Sequence, residues 1–387
     1  MLKLMNIELY PLNKMSEKVA LAWEREVRQR YGLLHLTLSV DWLRAVAADR
    51  PDDVIIATVQ PSISLSGNGE GWVVPFLLSS QSLPLRIGPI SFGRLILPIA
   101  KVYGGDCSPH LLGQGQLPSL LAAIFSHCPT MKGILFDHVP HGETTRRLTE
   151  AARGAGFWAG QVFEGIPHYR MVMPSTVDEF KRLRSGDSLK KIRKHERQLA
   201  ELTGGDCTLM EFRSRADWEM YRSPLERLVA SCWQARYLHH GLDMTEVARM
   251  AGYGWVRLFV LAAGDKFIAF VLCYQGKDSL IREQSGYDPA YASYYPGEIL
   301  LHKMVERLYE MDRPAVMDFG VGEGYHKRMV ANQVDHVDGV LLFPPGVGVK
   351  CKWGLYSICR VLDRGLRNGI ERFGIKKKLI RYFKRRK

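Results

Sequence analysis

The chain has no run of even about 18 consecutive apolar residues, so no segment is expected to cross a membrane as a helix. Met1 to Asn13 carries one lysine and no long apolar stretch, so no secretory leader is read there. Cysteine is sparse: there are 7, scattered, with no Cys-x-x-Cys pair. That pattern fits reduced thiols in a cytoplasmic protein better than a disulfide framework or a zinc site. The 12 histidines show no His-x-x-x-His or mixed Cys/His spacing, and the His239–His240 doublet is isolated, so no metal is expected. Net charge is also absent from most of the chain. Residues 346–387 hold 14 of the 53 basic residues against Asp363 and Glu371, which leaves 39 basic and 38 acidic residues elsewhere. The body is therefore nearly neutral, and the net +13 describes a tail.

What is present suits a soluble globular protein, with 46% hydrophobic and 24% charged residues. A length of 387 residues allows two or three domains, or two fused halves. The first 50 or so residues read as helical, with Val19, Trp23 and Val27, then Trp42, Leu43 and Val46, at helical spacing. Strands follow at 54–59, 71–78 and 95–99, between Ser-, Gly- and Pro-rich turns. Later come a broken helical pair at 176–203, a helix at 216–237 and a hairpin turned by Gly264-Asp265.

The stretch 281–330 reads strand, loop, helix, strand, loop. Leu300, Leu301, Met304, Leu308 and Met311 share one helical face, while Lys303, Glu306, Arg307 and Glu310 fall on the other. Pro296 suits a first helical turn, and Gly297 leaves backbone N–H groups unshielded, so this end can receive an anion. Leu117-Pro118-Ser119, its helix and Asp137 repeat the same order, with proline-to-aspartate separations of 19 residues against 22 for Pro296 and Asp318. The parallel suggests an internal duplication.

Gly286-Tyr287-Asp288, Tyr295-Pro296-Gly297, Met317-Asp318-Phe319-Gly320 and His326-Lys327 resemble the signature of acetyltransferase-like proteins found with cellulose and exopolysaccharide biosynthesis. Those are of the GNAT superfamily and related to the Fem aminoacyl transferases. His326 stands where that family usually has tyrosine, and the Arg/Gln-x-x-Gly-x-Gly/Ala loop of ordinary GNAT enzymes is missing. The resemblance implies an α/β fold of two tandem GNAT-like lobes, each a mixed, mostly antiparallel sheet flanked by helices. The expected divisions are 1–165, 166–345 with the acyl-donor site, and a basic amphipathic tail at 346–387.

It also implies an acyltransferase using acyl-CoA, such as acetyl-CoA, as co-substrate. Tyr294, Tyr295, Pro296 and Gly297 would mark the pyrophosphate site. Lys327 would lie near the transferred acyl group, Asp318 and Glu283 would face the cleft, and Tyr287 could donate a proton. Lys190, Lys191, Arg193 and Lys194 form a basic helical cluster, read either as a solvated face or as a contact for an anionic substrate such as a nucleotide sugar or lipid-linked phosphate. In the tail, Ile358, Val361, Leu362, Leu366, Ile370 and Phe373 mark one face, followed by Leu379, Ile380 and Phe383 among basic residues. A helix of this kind lies on an anionic membrane surface, with nucleic acid as the competing partner. Three readings stay open: acyl-CoA-dependent transfer to a sugar or lipid-linked precursor, Fem-like transfer from aminoacyl-tRNA, and a non-catalytic scaffold at the membrane.

Overall fold

The computed structural model describes residues 6–31, 36–60, 72–88, 90–102, 116–183, 186–232 and 243–372. In chain order these form β1 (Asn6–Pro11), α1 (Glu17–Tyr31), α2 (Val40–Val46), β2 (Val54–Gln60), β3 (Trp72–Ile87), β4 (Ile90–Val102), α3 (Leu117–His127), β5 (Gly133–Pro140), α4 (Glu143–Gly154) and β6 (Trp158–Val172). The chain continues as α5 (Val177–Arg182), α6 (Gly186–Thr203), β7 (Cys207–Phe212), α7 (Arg215–Ser231), α8 (Met244–Gly252), β8 (Val256–Ala263), β9 (Lys266–Gln275) and β10 (Ser279–Tyr287). It ends in α9 (Pro296–Glu310), β11 (Val316–Val321), α10 (Tyr325–Val330), β12 (Gln333–Phe343) and α11 (Val347–Arg372). Trp233, the His239–His240 doublet and the last basic residues from 373 onward lie outside the described residues.

Two compact units emerge, and neither is one continuous piece of chain. The first joins Met1–Val19, Asp49–Glu164 and Asp338–Lys387; the second joins Ala20–Ala48 and Gly165–Val337. This division differs from the 1–165, 166–345 and 346–387 read from the sequence, and aromatic packing explains why. Trp42 of α2 meets Trp255 at 5.5 Å and Tyr274 at 4.9 Å between ring centroids, so α2 docks on the second unit. The Trp23 indole donates to Leu38 O at 2.7 Å and ties α1 to the same place. Conversely, α11 buries Tyr356 among Leu83, Leu97 and Phe343, with Trp353 packed beside it, so the start of the tail belongs to the first unit.

Both units repeat one strand plan. In the first, β1, β2, β3 and β4 run antiparallel, and β5 joins β4 in parallel at Ile99↔Gly133, Ala100↔Ile134 and Lys101↔Leu135. In the second, β7, β8, β9 and β10 run antiparallel, and β11 joins β10 in parallel at Ser279↔Val316, Leu280↔Met317 and Ile281↔Asp318. Each parallel pair is bridged by a proline-led helix, α3 or α9. The β6 residues that fall in the second unit pair with β11. The β12 residues from Asp338 onward fall in the first, following β5 in strand order.

The core of the second unit forms where Ile299, Leu300, Met304, Val305 and Leu308 of α9 pack on Phe259, Leu261, Val271 and Cys273. Each such side chain contributes roughly 1.5–3 kcal/mol on burial. The periodicity also placed Met311 on this face; the helix instead stops at Glu310 and Met311 is 60% exposed as its C-cap.

Candidate active site

The site begins where β10 and β11 part. Their parallel pairing ends at Ile281↔Asp318, after which β10 stays with β9 as far as Tyr287↔Ala269 and β11 turns to β6. Both strands bulge at this level, β10 between Arg282 and Gln284 and β11 between Asp318 and Val321, where Gly320 takes a left-handed φ of 71°. A bulge bends its strand and re-aims side chains. Two bulges at this level open a wedge and, among the described residues, leave the β10 edge without a strand partner on that side. Backbone donors at such an edge can bind a carbonyl oxygen.

The loop that leaves β10 leads to the expected pyrophosphate site. Gly286 is packed so closely that a Cβ would stand 2.6 Å from Cys232 Sγ and 2.8 Å from Phe270. Tyr287 is exposed at the strand end, and Tyr294 packs against the core. Asp288 caps the following turn by accepting from the Ala290 N–H at 2.9 Å. Tyr295 is left-handed at φ 52°, and its carbonyl accepts from Glu298 N–H at 2.9 Å and Ile299 N–H at 3.3 Å. Proline has no N–H to offer. Among the described residues, Gly297 therefore presents the one unengaged peptide donor of this turn, and no atom from elsewhere in the chain lies within 4 Å of where its Cβ would be. The anion cradle read from the sequence is narrower than expected.

On one side of the wedge stand Arg282, His326 and Lys327. The Lys327 ammonium donates to Val321 O at 2.7 Å and Gly320 O at 3.2 Å, pinning the loop after β11. Burial, then the charge of Arg282, lowers its pKa, against the pull of Asp318 and Glu323. Burial, then Arg282 and Lys327, pushes His326 down to about 4, so the ring is neutral near pH 7. Its Nε2 is buried and has no hydrogen-bond partner among the described residues. Burial lowers the Arg282 pKa as well, and its guanidinium donates to Ser285 Oγ.

Asp318 is buried and engaged. It accepts from His168 Nε2 at 2.8 and 3.0 Å and from the Gly320 N–H at 2.7 Å. Arg170 approaches His168 Nδ1 at 3.3 Å, and since arginine only donates, Nε2 carries the proton that Asp318 receives. Glu283 is the bulged residue of β10 and has its own surroundings. Although its side chain reaches the surface, the protein packed around its carboxyl, then the charge of Glu246, raises its pKa. Tyr274 shares this neighbourhood: burial, then Glu246 and Glu283, raises the phenol. Trp42 lies edge-on against that ring, and Tyr253 stacks on Trp255 at 4.6 Å.

The structure thus groups Asp318 and Lys327 around the β11 loop and places Glu283 at the bulge, with Tyr287, Tyr295 and Gly297 toward the exit of β10. α6 does lie beside this exit, with His195 and Tyr295 rings 5.0 Å apart and Lys303 paired to Glu196 at 2.7 Å. Arg193, two residues from His195 and so about 200° round the helix, faces solvent instead. Lys190 is also exposed, 3.9 Å from Asp187. Arg282 and His168 escaped the sequence reading. A charged residue in a strand looks like surface, and His168 lies 150 residues from Asp318. A separate charged cleft, lined by Glu211, Arg213, Asp217, Lys303, Glu306 and Arg307, runs along α9 and holds none of the site residues read from the sequence.

Residues 186–328 match the family model described as "Acetyltransferase (GNAT) domain". That segment contains Arg282, Glu283, Gly297, Asp318, His326 and Lys327, and the match supports an acyltransferase. No curated protein is similar enough in sequence to count as a relative. Among solved structures the chain is similar to FemX, at 11% identity over 87% of this chain and 97% of that one, with a TM-score of 0.54. It is also similar to a tandem GNAT protein from the clavulanic acid biosynthesis pathway, at 10% identity over 89% of this chain and 100% of that one, TM-score 0.48. A third is the C-terminal domain of a putative lysylphosphatidylglycerol synthetase from Agrobacterium fabrum, at 11% identity over 74% and 85%, TM-score 0.43. The likeness to FemX bears on the fold, an α/β arrangement of mixed sheets flanked by helices.

Proposed function

We propose that the chain transfers an acyl group from an acyl-CoA thioester, acetyl-CoA in the simplest case, to an amine or hydroxyl on a sugar or lipid-linked precursor of a surface polysaccharide. The parting of β10 from β11 beyond Ile281 and Asp318 is the observation that carries the reading. The free edge of β10 offers peptide donors to the thioester oxygen, which gains charge as the nucleophile adds. Glu283, with its raised pKa, takes the proton from the attacking nitrogen or oxygen. The new C–N or C–O bond forms, the C–S bond breaks, and the departing thiolate takes a proton from solvent, since Tyr287 stands at the far end of β10. Asp318 and Lys327 act by holding the β11 loop in shape. Gly297 offers its N–H to the donor's pyrophosphate.

The tail reading supports work near an anionic membrane. Ile358, Val361 and Leu362 of α11 are 60%, 68% and 50% exposed, an apolar face with no partner among the described residues. Arg360 and Arg364 turn the other way, toward Gln161 O and Glu164. A second reading keeps the chemistry and takes aminoacyl-tRNA as donor, as in the Fem transferases that the 286–327 motifs resemble. The single free donor at Gly297 favours it.

Calorimetry with acetyl-CoA separates the two. Saturable binding below millimolar concentration is expected. Absence of heat at millimolar acetyl-CoA, with RNA copurifying by its 260 nm absorbance, would transfer the assignment to the second reading.

A further inference from the structure

Among the described residues, the cations beside the wedge lack matching anions. Arg282 has five N–H donors to place, and among the described residues its one hydrogen bond goes to Ser285 Oγ. Among the described residues, no carboxylate pairs with it; burial is the main influence on its charge. The acidic groups nearby are already committed: Asp318 to His168 and the Gly320 N–H, and Glu323 to Tyr169 Oη at 3.2 Å and Arg328 at 3.0 Å. Lys327 spends two of its three donors on Gly320 O and Val321 O. His326 Nε2 is buried with nothing to bond among the described residues. Like charges gathered in a partly desolvated spot are costly unless an opposite charge completes them.

The position of the cluster says which part of a substrate would complete it. Arg282 lies five residues before Tyr287, about 16 Å along an extended strand from the end that leads to Gly297. An anion held at Arg282 is therefore distinct from a pyrophosphate held at Gly297. It sits where the strands part, beside the reacting carbonyl of the acyl transfer proposed above, and its placement rests on that reading.

We infer that Arg282, supported by Lys327 and His326, binds a carboxylate or phosphate group that the acyl chain or the acceptor carries next to the reacting carbon. Arginine suits this task because its planar fork meets either group with two parallel hydrogen bonds. The site then selects for charge: a dicarboxylic acyl group or a phosphorylated acceptor would be held in line, and an uncharged analogue would leave the cations unpaired.

The test has two arms. In the first, inorganic phosphate is titrated calorimetrically into the full chain. Saturable binding is expected, weakened about tenfold or more in Arg282→Gln and partly recovered in Arg282→Lys, which a mere packing role would not produce. Phosphate should also move the His326 ring resonances in the unmutated protein, a reading independent of whether the variants fold. Absence of binding, or binding indifferent to Arg282→Gln with His326 unmoved, overturns the inference. In the second arm, turnover is compared for succinyl-CoA against acetyl-CoA with glucosamine, and for glucosamine 6-phosphate against glucosamine with acetyl-CoA. A preference for succinyl-CoA that disappears in Arg282→Gln places the anion on the acyl chain, and one for the phosphorylated sugar places it on the acceptor. Turnover with no preference in either pair overturns the placement beside the reacting carbon. Arg282-dependent phosphate binding in a protein that ignores every acyl-CoA sinks the acyl-CoA reading alone and leaves the anion site standing.

Discussion

His168 and Asp318 meet across the β6–β11 pair, with Nε2 2.8 Å from one carboxylate oxygen and 3.0 Å from the other. The aspartate also receives the Gly320 N–H, so one buried carboxylate fixes both a histidine tautomer and the left-handed turn that opens the wedge. Asp318→Asn keeps the shape and removes the charge. It should cost about 1.5–3 kcal/mol in urea unfolding, the range for hydrogen bonds to a charged group. Turnover should fall less than in a variant that removes the base.

That base is Glu283 in the reading given above. Glu283→Gln should lower kcat by about 10²–10⁴-fold while leaving the KM for acetyl-CoA nearly unchanged, as expected when a proton acceptor is lost and binding is not. Stopped-flow or endpoint thiol release checks it, and full activity in the variant would assign the proton to another group.

Gly286 is required by space. Its Cβ would meet Cys232 Sγ at 2.6 Å and Phe270 at 2.8 Å, so Gly286→Ala should destabilise by about 1–3 kcal/mol through overpacking. A shifted urea midpoint at constant slope is the expected signature.

His326 should titrate with a midpoint near pH 4 in NMR spectra, against an ordinary value of 6.5. Because the native ring refuses a proton that the unfolded chain accepts between those values, its contribution to stability rises with pH through that window and is lost on acidification. The raised pKa of Glu283 works with the opposite sign, so the histidine term is read from the difference between the unmutated protein and His326→Phe.

Arg257 is 2% exposed and holds Glu211 Oε1 at 2.7 Å and Gln275 Oε1 at 2.5 Å. Burial alone would raise the Glu211 pKa, yet Arg257 and Arg213 bring it below the ordinary carboxylate value. Glu211→Gln strands a buried guanidinium and should cost on the order of 3–5 kcal/mol in chemical denaturation, the largest stability loss among these variants.

Much of the second unit was legible in the sequence because its signals are local. The spacing of Leu300, Met304 and Leu308 marked α9, and Gly264-Asp265 marked the turn between β8 and β9. The Gly286-Tyr287-Asp288 triplet marked the end of β10, and the crowding around Gly286 now explains its first residue. What stayed hidden depends on pairings between distant parts of the chain. Nothing near Trp42 announces that it will pack on Trp255 and Tyr274. Arg282 follows two apolar strand residues, and only the bulge reveals that it turns toward Lys327 rather than solvent. Arg193 belongs to a basic cluster plain in the sequence, yet helix geometry sends it away from the wedge.

The first unit draws on Asp338–Lys387 as well as on residues near the chain's beginning, with Tyr356 of that late segment buried against Leu83 and Leu97. During translation, β1 through β5 leave the ribosome long before the strand and helix that cover them. Those hydrophobic faces must wait, exposed to chaperones or to misassociation, until nearly the whole polypeptide has been made. Synthesis that stalls after Val337 would release a second unit with its full set of residues and a first unit unable to close.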